Sequence, residues 1–175
     1  IYCWGCGVGG QLGDGLSQSS PTPVKAQANV RFRYLGRGQA ANNLCAISES
    51  GHVYCWGVTA DGQGGHGGIA PTPAPTQIAS NLSFRATGSG QGYACALAES
   101  GDIYCWGRNN YGRLGTGVAG STTVPALVAG GIKYARGRRT TRLRADERRT
   151  RLLLGLPACR WWRCARRRCA DAAGG

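Results

Sequence analysis

Through the first 135 residues, apolar positions come in short stretches of four or five residues rich in β-formers, each cut off by a polar or glycine-bearing segment. Cys95 to Ala98 and Ile103 to Trp106 are two such stretches, and the Glu99-Ser100-Gly101-Asp102 between them holds a glycine suited to a turn at positive φ. This pattern predicts a hairpin, and a second one centred on Ser50. A glycine-spaced segment after each Trp-Gly pair predicts a tight loop. The proline eight residues further on fits a strand edge or strand start, where no ladder donor is needed. No window before residue 136 sustains a helical period.

The stretches repeat in a fixed register. Tyr-Cys-Trp-Gly, led by Ile or Val, stands at Ile1 to Gly5, Val53 to Gly57 and Ile103 to Gly107. Downstream, Gly10-Gln11-Leu12-Gly13-Asp14-Gly15 aligns with Gly62-Gln63-Gly64-Gly65-His66-Gly67 and with Gly112-Arg113-Leu114-Gly115-Thr116-Gly117. Pro23, Pro75 and Pro125 follow, then Phe32, Phe84 and Tyr134. Upstream, Cys45-Ala46-Ile47-Ser48-Glu49-Ser50-Gly51 matches Cys95-Ala96-Leu97-Ala98-Glu99-Ser100-Gly101 at five positions. A unit of this size cannot bury its own apolar face, so successive units must stack. Units fall at about residues 1–44, 45–94 and 95–135. Thirty glycines in 175 residues exceed twice the average usage of roughly 7%, as an array of turns requires.

Cys-Ala-Leu, a turn with Glu-x-Gly, Tyr-Cys-Trp-Gly, then Gly-Gln-Leu-Gly-x-Gly and a proline resemble the regulator of chromosome condensation repeat in its cysteine-containing bacterial style. The resemblance covers about residues 1–135 and implies an all-β fold, a β-propeller built from blades of four antiparallel strands. Two positions depart from the family pattern. The usual His ahead of Cys-Ala-Leu is Asn43 or Tyr93, and the Leu of Gly-Gln-Leu-Gly is Gly64 in the middle unit, which predicts looser packing there. Propellers close with about four to eight blades, and this array supplies fewer than three. The expected architecture is therefore an incomplete propeller of about three blades, read as a fragment of a larger protein.

Charge separates residues 136–175 from the repeats. They hold 13 of the 19 arginines and carry most of the +13 net charge. This basic tail is expected to be irregular or disordered, or else an out-of-frame translation of a further blade. Codon degeneracy lets Leu152-Leu153-Leu154-Gly155 become Tyr-Cys-Trp-Gly when reading starts one nucleotide later. With Trp161 and Trp162 the tail could hold nucleic acid non-specifically, but it carries no fold motif for specific recognition. No transmembrane run is present in the sequence.

Candidate chemistry is thin. Cys45 and Cys55 face each other across one predicted hairpin and Cys95 and Cys105 across the other, so each pair is a candidate disulfide, the alternative being two small buried thiols. Disulfides would favour an extracytoplasmic or secreted setting, and thiols a cytoplasmic one. Cys159, Cys164 and Cys169 lack a fourth ligand at zinc spacing. Cys3-Trp4-Gly5-Cys6 reads as a redox motif, yet Val58 and Arg108 stand where Cys6 does. Gly5, Gly7 and Gly10 spell a dinucleotide fingerprint with no helix after it. His52 and His66 are expected in solvent, and Asp14, Glu49, Asp61, Glu99 and Asp102 read as turn residues. No cofactor, metal or catalytic residue is expected.

The repeat core is expected at Tyr2, Trp4, Gly5, Tyr54, Trp56, Gly57, Tyr104, Trp106 and Gly107, each Trp filling the contact between adjacent blades. Function then falls to the loops that vary between units, about residues 16–22, 37–44, 68–74 and 118–124. The expected role is a non-enzymatic scaffold that binds an unidentified protein through these loops. The resemblance implies an alternative, guanine nucleotide exchange on a small GTPase coupled to chromatin binding, with no exchange-factor residues matched here.

Overall fold

A computed structural model of the chain describes residues 1–38, 42–131 and 133. The arginine-rich tail, with Cys159, Cys164 and Cys169, lies outside the described residues, as does Tyr134. Eleven strands run in order: β1 (Tyr2–Gly5), β2 (Ser20–Lys25), β3 (Phe32–Leu35), β4 (Arg37–Gly38), β5 (Asn43–Ser48), β6 (Val53–Gly57), β7 (Thr72–Gln77), β8 (Phe84–Gly90), β9 (Tyr93–Ala98), β10 (Ile103–Gly107) and β11 (Thr122–Leu127). One 3-10 turn, Asn110–Gly112, is the only helical element among the described residues.

Strands β3, β5, β6 and β7 form one four-stranded antiparallel sheet, and β8 to β11 form another. Between these two blades, β4 pairs parallel with β8, setting Arg37 beside Gly88 and Gly38 beside Ser89. Ahead of them, β1 and β2 make a two-stranded sheet, equivalent to the outer half of a blade. The fold is thus the incomplete propeller, with two complete blades and one outer hairpin among the described residues. Each complete sheet starts at the aromatic of the repeat, Phe32 or Phe84, so the sheets run out of phase with units counted from the cysteines.

Composition explains this layout. The prolines Pro21, Pro23, Pro73, Pro75 and Pro125 all lie on β2, β7 and β11, the outermost strands, where a missing N–H breaks no ladder. Pairing to those strands slips at the same place each time, between Cys3 and Gly5, Cys55 and Gly57, and Cys105 and Gly107. The glycines adopt φ of 105°, 104° and 102°, a conformation open to few other residues. The glycine after each Trp is therefore the price of a bulge that bends the strand.

Between the complete blades, Cys45, Ile47, Val53 and Cys55 pack with Phe84, Ala94, Ala96, Ala98 and Trp106. The alternation of alanines along β9 follows the two-residue period of a strand and keeps this face low enough for the larger neighbours to nest. Phe84 meets Tyr104 edge-on with ring centroids 6.0 Å apart, and Phe32 meets Tyr54 likewise at 5.7 Å.

Candidate functional site

Cys45 and Cys55 are register partners on β5 and β6, as are Cys95 and Cys105 on β9 and β10. A disulfide joins each pair, with Cα atoms 4.1 Å apart. Three of these cysteines are buried, and Cys95 is half-buried. Cys3, at the same repeat position as Cys55, faces Val24 in the register of β1 and β2.

Trp56 and Trp106 are fully buried, and each reaches the glycine turn of the preceding unit. The indole Nε1–H of Trp106 donates to the Gln63 carbonyl at 2.9 Å, and that of Trp56 to the Gln11 carbonyl at 3.1 Å. A Cβ on Gly13 would stand 2.7 Å from Trp56 Nε1, and one on Gly65 2.5 Å from Trp106 Nε1. Those glycines are thus required by close approach as well as by φ of 75° and 72°. Tyr54 and Tyr104 are half-buried while Gly57 and Gly107 are buried. Tyr2 and Trp4, counted with the core on sequence, are exposed, Trp4 by 41%; no glycine turn packs on them among the described residues.

Gly64 does not loosen the middle unit. A Cβ there would lie 2.6 Å from His66 Nε2 and 2.7 Å from Thr59 Cγ2, so those two side chains occupy the space that Leu12 and Leu114 fill in the flanking units. His66 is half-buried in consequence, and His52 is half-buried beside Ser50, its Nδ1 3.2 Å from the hydroxyl. Both were expected in solvent. The fingerprint glycines Gly7 and Gly10 close a turn through Gly10 N to the Gly7 carbonyl at 2.8 Å.

Charged turn residues act as struts. Asp61 and Arg108 join the two complete blades at 2.9 Å, and Arg33 reaches Glu99 at 3.3 Å on the opposite end of the sheets. Among the described residues, no three His, Cys, Asp or Glu side chains converge as a metal site. No helix there is long and apolar enough to cross a membrane.

The antiparallel order places the connections after β1, β4, β6 and β10 at one common end of the sheets. Of the variable loops read from sequence, residues 16–19, 42, 68–71 and 118–121 lie in these connections, whereas 20–22, 37–38, 43–44, 72–74 and 122–124 belong to strands; residues 39–41 lie outside the described residues. Sequence reasoning saw only small polar segments there. The structure shows Leu16, Ile69 and Val118 exposed just past the third glycine of each unit, with Val8 exposed nearby. Tyr111, 102% exposed, joins them from the third unit and is the one described non-glycine residue at positive φ, 62°. Aligning the loops by their third glycine, instead of by polarity, reveals an apolar residue one position on at Leu16 and Val118 and two positions on at Ile69. Arg113 stacks over the Tyr93 ring at 5.8 Å and donates to the Gln91 carbonyl at 3.4 Å, bracing the same end.

Known proteins share this arrangement. The profile of the Regulator of chromosome condensation (RCC1) repeat matches residues 1–42 and 100–139, and a second profile of the same repeat matches residues 84–113. The chain is 35% identical over 69 residues to the human (Homo sapiens) E3 ubiquitin-protein ligase HERC2, a match spanning 38% of this chain and 1% of that protein. Its fold is similar to Prp20p from Saccharomyces cerevisiae, with a TM-score of 0.62 at 23% identity, over 74% of this chain and 34% of Prp20p. It is similar also to human WBSCR16, with a TM-score of 0.64 at 21% identity, over 73% and 34% of the two chains. The chain thus spans about a third of these solved relatives. With these matches between residues 1 and 139, the chain belongs to the regulator of chromosome condensation repeat family.

Proposed function

We propose that this chain serves as a non-catalytic propeller scaffold that binds a protein partner through the loop end carrying Leu16, Ile69, Tyr111 and Val118. One observation carries this reading: exposed apolar side chains recur at a common end of successive units. Solitary exposed apolar residues are ordinary, but a series carried on one rim by successive sheets, two of them disulfide-tied, is the pattern of an interaction surface. Tyr111 is its natural anchor, a rigid amphipathic ring projected from a strained turn. The two cross-strand disulfides support an oxidising, extracytoplasmic setting for the binding.

The test is a pull-down comparing the wild-type chain with an Ile69→Ser/Tyr111→Ser/Val118→Ser variant. Loss of a captured protein, with an unchanged melt, supports the scaffold reading; capture unaffected by the substitutions removes it. Guanine nucleotide exchange remains the finer alternative. The likeness to Prp20p, a protein studied for binding to Gsp1p and histones, supports the fold and lends no exchange residue to this chain. Release of labelled guanine nucleotide from a small GTPase by this chain would favour exchange over scaffolding.

A further inference from the structure

The rim loops of the first two units open on the same local bond. Asp14 Oδ1 accepts from Leu16 N at 3.1 Å, and His66, at the same repeat position, accepts through Nδ1 from Gly68 N at 3.4 Å. Each bond spans two residues and fixes the start of the loop that presents Leu16 or Ile69 to solvent. The two acceptors respond differently to a proton. A carboxyl group keeps acceptor capacity in either state, whereas an imidazolium carries N–H on both nitrogens and accepts nothing.

The surroundings of His66 favour the neutral ring. Because Nδ1 accepts, the proton of the neutral imidazole sits on Nε2, which is buried and has no hydrogen-bond partner. The ring lies in the space left by Gly64, alongside Thr59 Cγ2, and its Cε1 would touch a Cβ on Gly68 at 3.3 Å. Thr59, Gly64 and Gly68 carry no charge. Strand β11, which takes the Gly67 N–H at the Thr123 carbonyl, has no titratable side chain. The charged groups of the flanking loops are engaged elsewhere: Asp61 with Arg108 at 2.9 Å, and Asp14 with Leu16 N. Among the described residues no ion pair reaches His66. Proton uptake would set two N–H groups facing each other at Gly68 and place a charge where neither ring nitrogen has an acceptor.

We propose that His66 is an acid-sensitive latch on the Ile69 loop. Protonation breaks the bond to Gly68, drives the imidazolium out of the Gly64 space and frees Gly68 and Ile69, so acidification loosens the middle of the rim. The loop's far side stays anchored, because the Thr59 hydroxyl donates to the carbonyls of Ile69 at 3.2 Å and Ala70 at 2.5 Å. Release is therefore local, and the blades remain folded. As control over binding, the latch rests on the rim being the docking surface proposed above; as a conformational change, it belongs to the free chain.

Nitrogen-15 relaxation on the full chain, recorded at about pH 8 and about pH 5, spans the range in which histidine as a residue type changes charge. No partner is present, so a rim that binds nothing leaves this result untouched, and a failed latch leaves capture at pH 8 to be judged separately. Order parameters of Gly68 and Ile69 are expected to fall from about 0.85 to below about 0.6 as the His66 ring protons titrate, with Leu16 unchanged. His66→Asp, which copies Asp14, should hold both residues rigid at either pH. Wild-type order parameters equal at the two pH values, a His66 ring that does not titrate between them, or an equal loss at Leu16 would each overturn the proposal, whether or not the variant folds. The same acid-induced loss persisting in His66→Asp would overturn it too.

Discussion

The indole of Trp106 donates to the Gln63 carbonyl at 2.9 Å across 43 residues of sequence, both groups buried. Burial of the ring and this bond together hold one blade on the next, and two effects of different size can be separated by substitution. Trp106→Phe keeps most of the apolar area but removes one of two bonds to the Gln63 carbonyl, leaving the longer one donated by Asn43 Nδ2 at 3.4 Å, and should cost about 0.5–1.5 kcal/mol. Trp106→Ala also opens a cavity and should cost about 3–5 kcal/mol. Urea denaturation of the two variants provides the ranking.

Gly65 and Gly112 have nearly the same backbone, φ 72° and 68°, in opposite surroundings. A Cβ at Gly65 would press on Trp106 Nε1 at 2.5 Å, and one at Gly112 touches nothing within 4 Å. Both alanine variants suffer left-handed strain of about 1–2 kcal/mol. Gly65→Ala should lose at least about 1 kcal/mol more, a steric contribution isolated by subtracting one denaturation midpoint from the other. Equal losses at the two sites would show that the Trp yields freely.

In the middle unit, His66 and Thr59 occupy the place of a leucine. Gly64→Leu alone should therefore destabilise by about 1–3 kcal/mol through overpacking. Adding His66→Thr, which copies the Leu114 and Thr116 arrangement of the third unit, should recover part of the loss. A double-mutant cycle is expected to give a favourable coupling of about 0.5–3 kcal/mol; an additive cycle would mean that the His66 ring is not the obstruction.

The parts legible in the sequence were those dictated by backbone geometry. Trp-Gly recurs because a bulge at φ above 100° follows the indole at Gly5, Gly57 and Gly107, and the cysteines face each other because a tight turn fixes their register. Both constraints act over a few residues, so spacing alone exposes them. The His66 replacement escaped because it depends on which side chain swings into a space two residues away, and the sequence showed only a missing leucine. The phase of the sheets escaped for a related reason: the closure that places β3 and β8 on the inner edges is long-range, while the visible repeats mark hairpins. Exposure at Leu16, Ile69 and Val118 was hidden because loop composition averages over neighbours that point different ways.

The disulfides differ in access, and that difference sets an order of reduction. Cys45 and Cys55 are wholly buried between the complete blades, whereas Cys95 is half-buried. Attack by a thiolate needs a path to one sulfur, so a mild reductant should open the Cys95–Cys105 bridge first and leave Cys45–Cys55 until the blades separate. Each bridge closes a loop of ten residues' separation, worth about 2.5–3 kcal/mol in the chain-entropy account. Denatured, unreduced protein should then titrate no more than five of the nine cysteines. Peptide mapping after timed reduction and alkylation should find label at 95 and 105 before 45 and 55. Simultaneous labelling of all four would mean that both hairpins open in a single global unfolding step, and the blades would then have no independent stability.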